Sequence, residues 1–335
     1  GDAGDAGDAG DAGDASSAVT NWKLYGERNT GTRYLQQLLD ANLQVSHLNL
    51  GNAKSVKLAK LNEKQKDTVY AQRFDYFLGW KHQCGLSAAQ LRDRSALTGR
   101  VLFVVTGKNP YSWLLSLFDK PYHIIGQKPT NFDMFVRKPW GVLGRENMEG
   151  CMRDSARHQF NIQRFKHPVD LWNSKMESYS SLSARGAPFV FRVKYEELVQ
   201  DPEAVVQRIR DEFGLEMKSD NFTNIESSTK SNVKDFSHYQ LYYIGEKWKE
   251  RKHWTIEAHG AINRYLDPLV METWGYEYWH PTPDEVQTMV DRRANANAMA
   301  GVSNRATGTI IRTKSSSSSS SSSSRTTSGS SRRTN

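Results

Sequence analysis

Apolar residues fall along this chain in short unbroken runs, separated by stretches whose apolar positions repeat at helical spacing. Trp22 to Tyr25 predicts a first strand. Thr32 to Asn42 predicts a helix, with Leu35, Leu38 and Leu39 on one face. Residues 46–72 are polar, lysine-rich and without clear period, and Tyr76 to Trp80 is a second apolar run ending in Lys81-His82. Val101 to Val105 is a continuous β-branched run, the pattern of a strand covered on both faces in a parallel sheet. Pro110 then opens a helix bearing Trp113, Leu114 and Leu117.

Asp154 to Ala184 reads as a long, mostly helical stretch interrupted at His167-Pro168. Phe189 to Val193 reads as a strand, Pro202 to Phe213 as a helix closed by Gly214, and Thr255 to Trp274 as a helix before Gly275. Strands alternating with helices predict an α/β fold with a mainly parallel central sheet flanked by helices. Ligands of such sheets bind beyond the C-terminal strand ends. The turn from Gly26 to Gly31, Lys81-His82 and Lys108-Asn109 all fall at predicted ends of that kind.

The first of these is the most informative. A strand, a glycine turn and a helix in immediate succession make an anion site, because N–H groups at a helix N-terminus are unpaired and carry partial positive charge. The hydroxyls of Thr30 and Thr32 and the Arg28 guanidinium would complete the cradle. Gly26 and Gly31 are spaced as in a nucleotide-triphosphatase loop, but Thr32 stands where that loop needs Lys. Taken alone, the segment also fits an ordinary strand-to-helix turn with a Thr N-cap.

Composition narrows the frame. Five Gly-Asp-Ala triplets fill residues 1–15, and serine runs unbroken from Ser315 to Ser324. Neither end has the apolar content to offset its ordering entropy. The expected plan is therefore a disordered repeat over 1–18, a folded domain over 19–293 and a disordered Ser/Arg-rich tail over 294–335. The net charge of +8 and pI near 9.3 come largely from that tail. No nucleic-acid module is visible, and a protein that binds a polyanionic cofactor fits the basic balance equally well. Cys84 and Cys151 are the only cysteines, read as two buried thiols, with one bridge as the alternative. No signal peptide or membrane-spanning run is seen. The chain begins at Gly1 without Met, so a preceding segment stays open.

Together the motifs resemble the 3′-phosphoadenosine-5′-phosphosulfate (PAPS)-dependent sulfotransferases over roughly Trp22 to Tyr278. The resemblance implies a P-loop-like sulfotransferase architecture. It implies a 5′-phosphosulfate loop at Gly26, Arg28, Asn29, Thr30, Gly31, Thr32 and Arg33, and a 3′-phosphate site at Lys108 and Ser116, eight positions apart. Trp80-Lys81-His82 looks like a shortened form of the family's Lys-Thr-His. That implies His82 as general base, with Arg28 or Lys81 stabilising the leaving phosphate. Some members use Glu instead, which makes Glu27 a competing base.

Arg192 and Glu196 read as scaffold. Lys247, Lys249 and Arg251 are candidates for a C-terminal phosphate loop, and a solvated charge run fits them too. Two departures stand out: Asn29 where Lys is common, and Lys108 where Arg is usual, exchanges that are not neutral. The resemblance implies PAPS as donor, no metal, and a hydroxyl or amine on a carbohydrate or small molecule as acceptor. Trp140, Tyr122 and His123 are candidates for its pocket. A Golgi membrane location is expected if an N-terminal anchor precedes Gly1, and a cytoplasmic one otherwise; oligomeric state is not addressed. A P-loop-type kinase and an inactive, sulfotransferase-like binding module are the alternative functions.

Overall fold

The computed structural model describes residues 19–48, 62, 77–122, 124, 129–142, 147–151, 164–226, 235–292 and 294. The expected disordered ends apart from residue 294, most of residues 46–72, Tyr76, His123 and residues 154–163 of the 154–184 stretch lie outside them. The chain divides into two units, Gly1–Pro281 and Thr282–Asn335; residues 283–292 of the second are helical. All that follows belongs to the first.

Its elements begin with β1 (Asn21–Gly26), α1 (Thr32–Asn42), β2 (Ser46–His47), α2 (Ala88–Asp93), α3 (Ser95–Thr98), β3 (Val101–Gly107), α4 (Pro110–Asp119) and α5 (Phe132–Arg137). A short hairpin pairs β4 (Trp140–Gly141) with β5 (Arg164–Phe165), and a 3-10 turn spans Glu149–Cys151. Then come α6 (Pro168–Ser180), β6 (Phe189–Lys194), α7 (Tyr195–Gln200), α8 (Pro202–Phe213), α9 (Phe236–Tyr243), α10 (Ile256–Tyr265) and α11 (Pro268–Thr273).

The main sheet is parallel, in the order β2-β1-β3-β6, so the α/β reading holds. The chain leaves β1 for β2 on one side and reaches β3 on the other. The crevice between the C-terminal ends of β1 and β3 is therefore the switch point where such sheets take their ligands.

β1 alternates strictly. Trp22 and Leu24 enter a core with Leu35, Leu38 and Leu39 of α1 and Val205, Val206 and Ile209 of α8. Lys23 and Tyr25 face the opposite layer, where the Tyr25 ring lies parallel to Tyr179 of α6. The run β3 is buried from end to end, as its composition requires.

Helix signals are met side chain by side chain. Asn109 caps α4, accepting from Tyr111 N and Ser112 N ahead of Pro110. Asp201 caps α8, and Gly214 ends it at φ 58°. The expected helix over 255–274 is instead two. Pro268 cannot continue α10, and Asp267 caps a new start by accepting from Leu269 N and Val270 N. The segment after Lys194 is the short helix α7.

The expectation of two thiols is overturned: Cys84 and Cys151 form a disulfide, with Cα atoms 5.5 Å apart. It ties the segment after His82 to the 3-10 turn that packs on α6. Chain entropy alone makes closure of such a loop worth about 4 kcal/mol.

Candidate active site

The glycine turn is built by close approach. A Cβ on Gly26 would collide with the methyl groups of Thr106 and Thr32, and one on Gly31 with the Tyr195 ring. Gly31 has φ 77° and Asn29 φ 64°. Asn is one of the few non-glycine residues that adopt this region readily, which gives a backbone reason for Asn29 where Lys is common. Its side chain donates to Lys120 O at 3.3 Å, pinning the turn to the end of α4.

Gly31 is the N-cap of α1, and α1 has no side-chain cap. The first-turn N–H groups of Thr32, Arg33 and Tyr34 are thus left for an anion, and the expected Thr cap is absent. Thr30 does not share in this. Both its N–H and its hydroxyl bond to Glu27 O, at 3.3 and 2.6 Å, and the side chain is buried. Thr30 braces the turn from inside.

Glu27 is fully buried between two cations. Its Oε1 lies 2.7 Å from Arg28 Nη1 and its Oε2 3.3 Å from Lys175 Nζ. Burial pushes the carboxyl up, but Arg28, Lys175, His82 and the Arg28 N–H outweigh it and hold it at about 2. A carboxylate this acidic and closed from solvent holds Arg28 in place, whereas the competing-base role expected for Glu27 needs access to the cavity, which Glu27 does not line.

Lys81 and His82 do not end a strand. Residues 77–83 form an irregular turn, with Leu78 at φ 53° and Gly79 at φ 77°. Its backbone is satisfied largely by side chains from β1 and α6. Lys23 Nζ donates to Phe77 O at 2.5 Å, Gly79 O at 2.6 Å and Leu48 O at 3.3 Å. Tyr25 Oη donates to Leu78 O at 2.6 Å, Lys175 Nζ to His82 O, and Tyr179 Oη to Gln83 O at 2.9 Å. Gly26 N donates to Lys81 O at 2.9 Å, joining the turn to the glycine loop.

His82 Nδ1 lies 2.7 Å from Gly26 O. A carbonyl only accepts, so Nδ1 carries the proton and Nε2 is left as the basic nitrogen. Burial and then the Arg28 charge lower the His82 pKa to about 3, so the ring is neutral at pH 7. Trp80 packs between the two: its ring meets His82 edge-on at 4.9 Å, and the Arg28 guanidinium lies 5.0 Å from its centroid.

Lys108 and Ser116 do meet: Lys108 Nζ donates to Ser116 Oγ at 2.9 Å and to Asn29 O at 3.4 Å. Lys108 is buried beneath the rings of Tyr243 and Tyr195, at 4.0 and 5.0 Å. Burial lowers its pKa to about 7, against the pull of Glu196. Glu196 accepts from Asn109 N and Tyr276 Oη, both at 3.0 Å, which fits its reading as scaffold. Arg192 likewise donates to Thr273 O at 3.0 Å.

These parts surround one cavity of about 490 Å³, within the size range of small-molecule sites. Arg28, Asn29, Gly31, Thr32, Arg33, Lys81, His82 and Ser116 all line it. Gly26, Thr30 and Lys108 do not line it, and the buried Lys108 reaches it through its bond to Ser116. Of the C-terminal cations only Arg251 reaches the cavity, paired with Asp119 at 2.7 Å; Lys247 and Lys249 pair with Glu250 and Glu246. Tyr122 lines it too, whereas Trp140 is buried edge-on against Phe135.

Sequence reading missed Lys175 and the aromatic wall of Tyr195, Tyr239 and Tyr243. The apolar face of a helix gives no sign that its one lysine, Lys175, binds a carboxylate that lies far back in the chain.

Residues 142–219 match a family model described as the sulfotransferase family. The match takes in β5, α6, β6, α7 and α8, and bears out at family level the resemblance carried by the motifs upstream. Among solved structures, a sulfotransferase domain from the curacin biosynthetic pathway is similar, at 13% identity and a TM-score of 0.38 over 78% of this chain and 99% of that one. No curated protein matches the chain.

Proposed function

We propose that this chain, whose residues 142–219 match a sulfotransferase family model, moves a sulfuryl group from PAPS to a hydroxyl or amine of an acceptor. The observation that carries the reading is one shared wall: the uncapped N-terminus of α1 and Arg28 line the same cavity as His82, whose Nδ1–H is tied to the turn that makes the anion site.

The donor set fits a phosphosulfate. It is cationic, rich in N–H groups and shaped by glycines whose Cβ would fill the cradle. Ser116 on the wall, backed by Lys108, suits a second phosphate. PAPS supplies a sulfur bound to an oxygen that leaves as phosphate. His82 Nε2 takes the acceptor proton as the acceptor–sulfur bond forms and the sulfur–phosphate oxygen bond breaks. Arg28, held in place by Glu27, and the N–H groups of Thr32 and Arg33 stabilise charge gathering on the sulfuryl and departing phosphate oxygens. One such donor is commonly worth about 3 kcal/mol. Thr30, Glu27 and Lys108 orient these groups.

The disulfide between Cys84 and Cys151 supports the lumenal (Golgi) reading over the cytoplasmic one, because such bonds persist in oxidising compartments. No helix among the described residues is long and apolar enough to cross a membrane.

Adenosine 3′,5′-bisphosphate tests the donor assignment. At roughly 100 times its dissociation constant it should raise Tm by about 5–10 °C. AMP, lacking the 3′-phosphate, should do less. No shift with the bisphosphate would refute the reading.

A further inference from the structure

Asn221-Phe222-Thr223 is the chain's only Asn-X-Ser/Thr triplet, the acceptor sequence for N-linked glycosylation. Such a triplet is a common accident of composition. Its weight here comes from where the fold puts each of the three side chains. The link from α8 to α9 is pinned to Asn42 at the end of α1. Lys218 N donates to Asn42 O at 2.7 Å. Thr223 N donates to Asn42 Oδ1 at 2.7 Å, and Asn42 Nδ2 donates to Thr223 O at 2.8 Å. Asn42 is itself buried, so both feet of the bend are fixed and residues 219–222 stand between them.

Phe222 is half-buried and packs against the core beneath α1 and α8. Asn221 is exposed, and its amide bonds to nothing among the described residues. Thr223 is exposed too, and its hydroxyl, the group that marks the triplet for modification, is equally free. The neighbouring Asn224 is unlike them: its Oδ1 accepts from Tyr34 Oη at 3.0 Å and from Ile225 N at 2.8 Å. A second observation is the bond between Cys84 and Cys151. Disulfides persist in oxidising compartments, and the secretory route that provides one is where N-linked glycans are attached.

We propose that Asn221 is an N-glycosylation site, taking an oligosaccharide from a diphosphate-linked lipid carrier. Asn221 Nδ2 bonds to C1 of the first sugar as the bond from C1 to the diphosphate oxygen breaks. The amide gives up one proton, and the lipid diphosphate leaves. Asn221 does not line the cavity, so the glycan is carried outside the site. The inference goes beyond the sulfotransferase reading and rests only on the lumenal one.

Peptide mapping by mass spectrometry, on protein isolated from the cells that make it, tests the site. The expected result is a glycan on Asn221 in chains whose Cys84–Cys151 bond is formed. A second measurement uses the full chain produced behind a secretory signal in eukaryotic cells. Peptide-N-glycosidase F should remove one mobility step on a denaturing gel. Asn221→Gln and Thr223→Ala, both at exposed positions, should lack that step, and Thr223→Ser should keep it. A step that persists in Asn221→Gln overturns the site. Native chains with the disulfide formed and Asn221 bare also overturn it, while leaving the lumenal reading standing. Native chains with Asn221 bare and both thiols free overturn the two together.

Discussion

His82 Nδ1 and the Gly26 carbonyl are joined at 2.7 Å, so the basic nitrogen of the site is oriented by the first residue of the anion turn. Removing the imidazole should leave that turn intact. His82→Ala is expected to keep adenosine 3′,5′-bisphosphate binding while losing turnover by 10²-fold or more. Single-turnover sulfuryl transfer beside a thermal-shift titration checks both halves. Unchanged turnover would remove His82 from the role.

The same nitrogen sets a pH dependence. Its pKa of about 3 lies below the ordinary 6.5, and a base works when deprotonated. kcat/KM, which reports the free enzyme, should show no acid limb from His82 near pH 6.5 and fall on its account only below about pH 5. Donor anions beside the ring favour its charged form, so the acid limb of kcat should lie at higher pH than that of kcat/KM. Coincident limbs at pH 6.5 would contradict the geometry.

Stability should follow two windows. Between pH 3 and 6.5 the unfolded chain binds the His82 proton and the folded chain does not, so this contribution is lost as pH falls through the window. Lys23 is lowered from 10.5 to about 7, burial being the main cause and Lys81 the lesser. From pH 7 to 10 the unfolded chain again holds the extra proton, and stability should rise with pH. Urea midpoints at pH 7, 8 and 9.5 read the rise directly, and Lys23→Met should reduce it, leaving the share that Lys108 contributes over the same window.

Glu27 stands between Arg28 and Lys175, with none of the three side chains more than 3% exposed. Glu27→Gln leaves two buried cations facing each other. The expected cost is about 3–5 kcal/mol, seen by chemical denaturation, together with weaker bisphosphate binding as Arg28 loses its anchor. A stable Glu27→Gln protein with normal donor binding and no turnover would restore Glu27 as the base.

The bridge from Cys84 to Cys151 holds the strand-less side of the site. The double variant Cys84→Ala, Cys151→Ala should lose about 2–5 kcal/mol. Reductant should lower the Tm of the parent chain toward that of the variant, and leave the variant's own Tm alone.

The sequence made β1, α1, β3, α4 and α8 legible because each is a local pattern: an unbroken apolar run, a 3.6-residue stripe, a Pro at the first turn or a Gly after the last. The glycine turn was legible for the same reason, being set by one strand end and one helix start, whereas Lys108 and Ser116 came from the resemblance and their contact from the fold. What escaped depends on distance along the chain. Lys175 reaches His82 O across 93 positions, and nothing near either residue marks that bond. The apolar run before Lys81 looks like a strand, yet Lys23 and Tyr25 hold its carbonyls in place of a neighbouring backbone. Thr30 was chosen for its hydroxyl, but the tightness of the turn directs that hydroxyl inward.

Helix α1 starts at a glycine with no side chain closing its first turn. Many helices carry Ser, Thr, Asp or Asn there, which over glycine adds roughly a few tenths of a kcal/mol to the fold. The protein forgoes that gain, and the missing bonds become available only when an anion arrives. Because a Cβ at Gly31 would run into the Tyr195 ring, no capping side chain fits this end of the helix without displacing that ring, so the opening is kept by packing as well as by function.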